Sequence, residues 1–329
     1  MTKLSTAAVL LALLSAPSLS PAANGTGETI GISKIVSHPA LDSIEKGIMD
    51  ELAAQGYQFK FDLQNANGDV NTAASIASKF KSDGVRMAVG IATPTAQALA
   101  KKLTDIPVIY SAVTDPVDAG LVSSLDKGGS NVTGVSDMTP VKEQIGLLLK
   151  VKKIKTLGHI YSSGEANAVV LAAKARQACK DLGIEFVEST VTNSAEVKQA
   201  ARSIMDRVDA LYVSTDNTIV SALKAITDVA MKSRKPVISA DPSSAEKLPI
   251  LIAWGFDYYK MGRATGKLMA SVYQGKKTSD IPTLFMTDTS DIDLLINLDV
   301  AKTLGISIPD AIAKNANTLV QNGKAVKTK

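Results

Sequence analysis

The residues in this sequence that could do chemistry stand directly after short apolar runs. Ser37-His38-Pro39, Ala92-Thr93-Pro94, Ser111 to Asp115 with Thr114, Tyr161 to Asn167 with Glu165, Ser214 to Asn217 with Asp216, and Asp241 to Ser244 all occupy such places. They are hydroxyls, amides, carboxylates and one histidine, a set suited to holding a small polar solute. Thr93-Pro94 reads as a helix start, with Thr93 as the N-cap and Pro94 in the first helical position. Such an end offers unpaired N–H groups and a hydroxyl, a seat for a carboxylate. His38 sits in one of these loops and is open to ligand contact or acid–base work. His159 falls inside an apolar run and reads as structural.

The rest of the inventory speaks against catalysis. The chain has 329 residues, two histidines and a single cysteine, Cys179. No zinc site of the Cys/His type can be assembled from these, and no intramolecular disulfide. Cys179 lies in a helical stretch, AAKARQACKDLG, and reads as packing. There is no Gly-x-Gly-x-x-Gly, no phosphate-binding Gly-x-x-x-x-Gly-Lys-Ser/Thr and no Gly-x-Ser-x-Gly. Neither a catalytic residue nor a metal or cofactor is therefore expected. The net charge is +4, from 36 basic and 32 acidic residues, and no basic run is longer than Lys152-Lys153. That balance gives no footing for nucleic acid.

The elements that must position these residues alternate strand and helix, twice over. Strands are predicted at Thr29–Val36, Phe59–Leu63, Met87–Ile91 and Val108–Ala112, with helices at Ala40–Ala54, Asn71–Lys81 and from Pro94. The pattern restarts with strands at Thr156–Tyr161, Glu185–Ser189, Ala210–Ser214, Val237–Ala240 and Leu251–Trp254, with helices at Asn167–Leu182, Ala195–Val208 and from Thr218. Alternation of this kind means α/β architecture with parallel sheets. The two halves superpose: LAAQGYQFKFD answers CKDLGIEFVES, and MAVGIATPTAQALA answers ALYVSTDNTIVSAL. This pairs Gly56 with Gly183 and Thr93 with Asp216, so two doubly wound domains of one topology are expected. Ligands of such sheets bind beyond the carboxyl ends of the strands, which is where the polar residues fall.

The N-terminus has Lys3, an apolar run of eleven residues from Thr6 to Ala16, then small residues and prolines to Ala23. That is the layout of a cleavable secretory signal, and the run is short of the ~20 apolar residues that span a bilayer. Residues 1–23 are expected to be removed and the mature chain to reside in the periplasm.

Several segments then match a known family in order. They are SHPALD from Ser37, QNANGD from Gln64, IATP from Ile91, AVTDPV from Ala112, NVTGVSD from Asn131, GEAN from Gly164, VTNS from Val191, TDNT from Thr215 and DYY from Asp257. The chain resembles the TrpX-like substrate-binding proteins of ABC transporters from about Glu28 to Pro309. The resemblance implies a type I periplasmic-binding-protein fold, with two doubly wound lobes joined by a three-strand hinge. Crossings are expected near Ser136–Pro140, Trp254–Asp257 and Ile281–Thr287. The lobes would comprise residues 24–136 with 256–284, and 137–255 with 285–313, followed by a mobile tail over 314–329. One segment departs from the family: Pro242 to Ile250 replaces an Asp-Ser-Val-Lys-Arg-Gly-Ala type of run after Asp241.

The resemblance implies a periplasmic carrier for an amino acid, of the aromatic class, handed to a membrane permease; a monomer is expected. A zwitterion needs donors for its carboxylate and acceptors for its ammonium, because a buried unpaired charge is costly. The carboxylate is assigned to Thr93 with Ser111 or Thr114, and the ammonium to Asp216 and Asp241, with Glu165 in reserve. Ser37, His38, Pro39, Tyr161, Asn167 and Asn217 complete the expected site, and Pro39, Tyr161 and Trp254 are the candidates to flank a ring. Two alternatives stay open: a ligand-sensing module for a membrane receptor, and a carrier of another polar solute such as a sugar.

Overall fold

The computed structural model describes residues 25–328; the expected signal segment lies outside them. The chain opens with β1 (Thr29–Lys34), α1 (Pro39–Ala54), β2 (Lys60–Asn65), α2 (Val70–Asp83), β3 (Met87–Ile91), α3 (Thr93–Lys102), β4 (Val108–Ser111) and β5 (Val132–Ser136). The strands pair in parallel in the order β2-β1-β3-β4-β5. Leu41, Ile44, Ile48 and Leu52 recur on one face of α1 and are buried, as the 3.6-residue period requires. The helix α2 is capped by the Asp69 carboxylate and ends at Gly84, whose φ of 63° is left-handed, a conformation that costs glycine little.

The second half repeats the plan. It contains α4 (Val141–Val151), β6 (Thr156–Ser162), α5 (Ala166–Leu182), β7 (Glu185–Val191), α6 (Val197–Ile204), β8 (Ala210–Val213), α7 (Asn217–Ser221), α8 (Leu223–Lys232), β9 (Val237–Ser239) and β10 (Ile252–Phe256). Its strand order, β7-β6-β8-β9-β10, is the same 2-1-3-4-5 winding. The superposition read from the sequence is thus the repeat of the fold: Gly56 and Gly183 follow the helix after the first parallel strand of each half, α1 and α5, and Thr93 and Asp216 follow the third strand. The long helix predicted over Ala195–Val208 is shorter, with 3₁₀ turns at Ser194–Glu196 and Met205–Arg207 flanking α6.

The chain then returns to the first lobe as α9 (Tyr258–Tyr273), which packs on α1, and β11 (Leu284–Phe285), which pairs with β5. It crosses again to β12 (Ile292–Asn297), antiparallel to β10, followed by α10 (Leu298–Leu304), α11 (Asp310–Ala313), β13 (Thr318–Gln321) and β14 (Lys324–Lys327). Three crossings, after Ser136, Phe256 and Phe285, join the lobes, and Leu284 and Phe285 still pair with β5 before the third. The tail expected to trail off from Lys314 is instead part of the second sheet: β13 lies parallel to β12 and β14 folds back on it. Alternating Thr318 and Val320 are buried against that sheet, which gives the segment a reason to pair. Each lobe has its own apolar core, with Ile30, Ile44, Phe80, Tyr110 and Met261 in the first and clusters around Val213 and Tyr212 in the second. This is the type I periplasmic-binding-protein fold that the sequence led us to expect.

Candidate functional site

A cavity lies between the lobes at the carboxyl ends of their strands. The first lobe contributes His38, Leu41, Ala112, Thr114 and Tyr258, the first crossing segment Asp137, and the second lobe Asn167, Thr215, Asp216, Asn217, Val220 and Asp241. In each sheet the strand order reverses beside the first strand, and the loops after β1 and β3, and after β6 and β8, flank that point, where open α/β sheets place ligands.

Six of the residues expected from sequence meet here: His38, Thr114, Asn167, Asp216, Asn217 and Asp241. The other six do not line the cavity. Ser37 Oγ is bound to the Asp42 carboxylate at 2.7 Å, and Pro39 opens α1. Ser111 Oγ pairs with Thr265 Oγ1 at 2.7 Å, tying β4 to α9. Tyr161 stacks on His159. Trp254 is half-buried in β10, opposite Leu294 of β12, and also stands away from the cavity. Thr93 corrects the sequence reading: Ala92 is the N-cap and Thr93 the first helical residue, its buried Oγ1 without a partner. Ala92 holds φ 77° and ψ 158°, a region essentially reserved for glycine, and Ala112 holds φ 55° at the adjacent strand end. Strained backbone of this kind concentrates at functional sites.

The carboxylates divide into two kinds. Asp216 is saturated by the protein: Oδ2 accepts the Ser162 N–H at 2.6 Å and Oδ1 the Ile219 N–H at 3.1 Å. It caps α7 and bridges the loops after β6 and β8. Burial, then the neighbouring Glu165, pushes its pKa well above the ordinary carboxylate value. Glu165 is also engaged, accepting the Thr218 N–H at 2.9 Å, the Thr218 hydroxyl at 2.6 Å and the Asn217 amide at 2.6 Å. Asp241 is different. Its Oδ1 accepts the N–H groups of Ser243 and Ser244 at 2.9 and 3.3 Å, while Oδ2 is buried with no partner. The substituted run after Asp241 thus folds as a tight turn around one carboxylate oxygen and leaves the other without a partner. From other side chains Asp137 receives the hydroxyls of Thr114, at 3.2 Å, and Tyr258, at 3.3 Å. Burial pushes its pKa up to about 6.

Further buried polar atoms around the cleft lack partners among the described residues: both ring nitrogens of His38, Asn167 Oδ1, Ser214 Oγ and Thr215 Oγ1. Native interiors leave few such atoms, and their grouping marks a place built to meet a polar solute. Burial holds the His38 pKa below its usual value, with the Asp241 carboxylate pulling the other way. The apolar part of the wall is Leu41, Ala112, Val220 and the Tyr258 ring. Asp137 and Tyr258 were missing from the expected site because their elements, β5 and α9, were not recognised. Asp137 closes the NVTGVSD segment and follows β5 directly, so the strand-end rule would have found it.

A two-lobed α/β receptor with a solute-sized cleft at its strand ends is the class this fold and site define. Residues 29–320 match the family described as ABC transporter substrate binding protein, and the chain belongs to that family. It is 39% identical over 282 residues to a tyrosine-binding protein of Clostridioides difficile (strain R20291), across 84% of this chain and 81% of the relative. A Streptococcus structure in complex with L-Trp is 35% identical, with a TM-score of 0.85 over 89% of this chain and 99% of that one. The ligand-free, open structure of a Clostridium difficile substrate-binding protein with adhesive properties is 37% identical, but its TM-score is 0.65 over 86% of this chain and 96% of that one. At similar identity, the described residues thus match the tryptophan complex far better than the open structure. No helix among them is long and apolar enough to cross a membrane.

Proposed function

We propose that this chain is the solute receptor of an ABC importer, that it encloses an aromatic amino acid between its lobes, and that it binds this ligand without transforming it. The carrying observation is Asp241 Oδ2, a buried acceptor without a partner, on a residue that lines a cavity with no Lys or Arg in its lining. A carboxylate there calls for a cation, and an α-ammonium brings one; a sugar does not. Thr93 Oγ1 and the N–H groups at the start of α3 lie one strand over from Ala112 and are the seat we assign to the ligand carboxylate. Leu41, Val220 and Tyr258 give the side chain its apolar contacts.

The similarity to a tyrosine-binding protein and to a tryptophan complex supports the aromatic class. Secretion through a cleaved signal, residence in the periplasm, action as a monomer and delivery to a membrane permease belong to the same reading. Titration calorimetry with L-tyrosine, L-tryptophan, L-phenylalanine, D-glucose and myo-inositol tests it. At least one aromatic amino acid should bind with Kd of about 1 μM or tighter, near −8 kcal/mol. Binding of a sugar with none of the amino acids would overturn the proposal.

A further inference from the structure

Four carboxylates surround the cleft, and the protein satisfies only two of them. Asp216 and Glu165 are filled by backbone N–H groups, an amide and a hydroxyl, as described above. Asp137 and Asp241 are not. Asp137 is buried on the first crossing segment, and the side chains that bond it are two neutral hydroxyls at 3.2 and 3.3 Å. Asp241, from the second lobe, lines the same cavity, and its buried Oδ2 has no partner. The two carboxylates repel each other, and no lysine or arginine lines the space between the lobes. Two buried carboxylates in one cavity are tolerated only if a proton or a cation comes between them.

We infer that Asp137 and Asp241 together seat the ammonium of the ligand, one carboxylate from the crossing segment and one from the second lobe, so that the cleft selects for an amine. This rests on the amino-acid reading and names the residue that reading lacks. Tyr258, at the first position of α9, and Thr114, beyond β4, are positioning residues. Their hydroxyls hold the two oxygens of Asp137 and so fix it between two of the three crossings. The ligand charge then acts on the segment about which the lobes move. The proton linkage follows from the same geometry. Asp241, Asp216 and Glu165 from the second lobe, and Tyr258 and His38 from the first, are the titratable groups that face this space. In this closed arrangement burial holds the Asp137 proton to about pH 6; an ammonium beside it favours the ionised form. Binding between pH 5 and 6 should therefore release a proton, and affinity should rise as pH increases through about 6.

The test compares wild type with Asp137→Asn, using L-tyrosine and L-tryptophan and their des-amino analogues, 3-(4-hydroxyphenyl)propionate and indole-3-propionate. Asp137→Asn should weaken the amino acids by about 30-fold or more and leave the analogues nearly unchanged. Calorimetry at pH 5.5 in two buffers of different ionisation enthalpy should count a proton released by wild type and none by the variant. Equal loss for both ligand classes, unchanged affinity for the amino acids, or an unchanged proton count would each overturn the inference. If Asp137→Asn does not fold, Tyr258→Phe serves: the lost hydroxyl favours ionised Asp137, so proton release should extend to higher pH than in wild type, and a superimposable pH profile or a shift to lower pH would count against the seat. If wild type binds none of the four compounds, it is the amino-acid reading itself that falls.

Discussion

Thr93 and Ala92 show how a single residue is read differently once its backbone is known. A threonine before a proline looks like a cap, and substitution of a cap costs about 1 kcal/mol. Here Ala92 occupies the cap position and the Thr93 hydroxyl is buried without a partner. Removing an unpartnered buried hydroxyl should not destabilise the fold. Thr93→Val is therefore expected to keep the wild-type melting temperature while weakening L-tyrosine or L-tryptophan by about 10- to 100-fold, that is ~1.4–2.8 kcal/mol. Calorimetry and a thermal melt on one preparation check both halves; wild-type affinity in the variant would remove Thr93 from the site. The same lesson holds for the acids. Asp216, Asp241 and Glu165 look alike in sequence, each beside a strand end. What separates them is which oxygens the backbone has already taken, a property of three-dimensional neighbours such as Ser162 and Thr218 that no spacing reveals.

At the scale of elements, strands buried on both faces were legible because they are short apolar runs bounded by turn residues, as in Met87–Ile91. The helices α1 and α5 were legible from their period and the glycines that follow them. Elements whose partners are remote in sequence were not. The strand β5 is VTGVS, with a glycine whose added Cβ would meet the Tyr110 carbonyl oxygen at 2.0 Å, so close packing on β4 rather than apolarity defines it. The helix α9 leans on α1 through Gly47 and Gly262, where an added Cβ would meet backbone at 2.3 Å. That crossing brings Tyr258 to the cavity, and half of its contact is written more than two hundred residues upstream. The tail makes the point as a prediction. Because β13 covers the edge of β12 and Val320 packs with Leu295, deleting residues 315–329 should lower the melting temperature and expose an unpaired strand edge prone to aggregation. A flexible appendage would be lost without effect. Differential scanning calorimetry and light scattering of the truncated protein distinguish the two.

For the whole molecule, the duplicated winding matters because it sets two equivalent strand-end faces opposite each other, hinged on three crossings. Neither lobe holds a complete site: Thr114, Leu41 and Tyr258 come from one, and Asn217 and Asp241 from the other. A ligand touching both faces binds the closed arrangement better than the open one, and only that difference can shift the equilibrium. The described structure stands near the tryptophan-bound arrangement, with a TM-score of 0.85 against 0.65 for the open one. Closing without a ligand would bury Asp241 Oδ2 and the His38 nitrogens unpaired, at a cost of about 1–3 kcal/mol for each unsatisfied group. The free protein in solution is therefore expected to be open for most of the time and to close on its amino acid. Small-angle scattering should give a smaller radius of gyration with saturating L-tyrosine or L-tryptophan than without. The same ligand at a hundredfold its Kd should stabilise the fold by about 2.7 kcal/mol through mass action. Because the driving cation is the ammonium, the des-amino analogue should produce little contraction even at concentrations that occupy the site. If it contracts the molecule as far as the amino acid does, closure is driven by the ring and the carboxylate, and the paired carboxylates have no part in it.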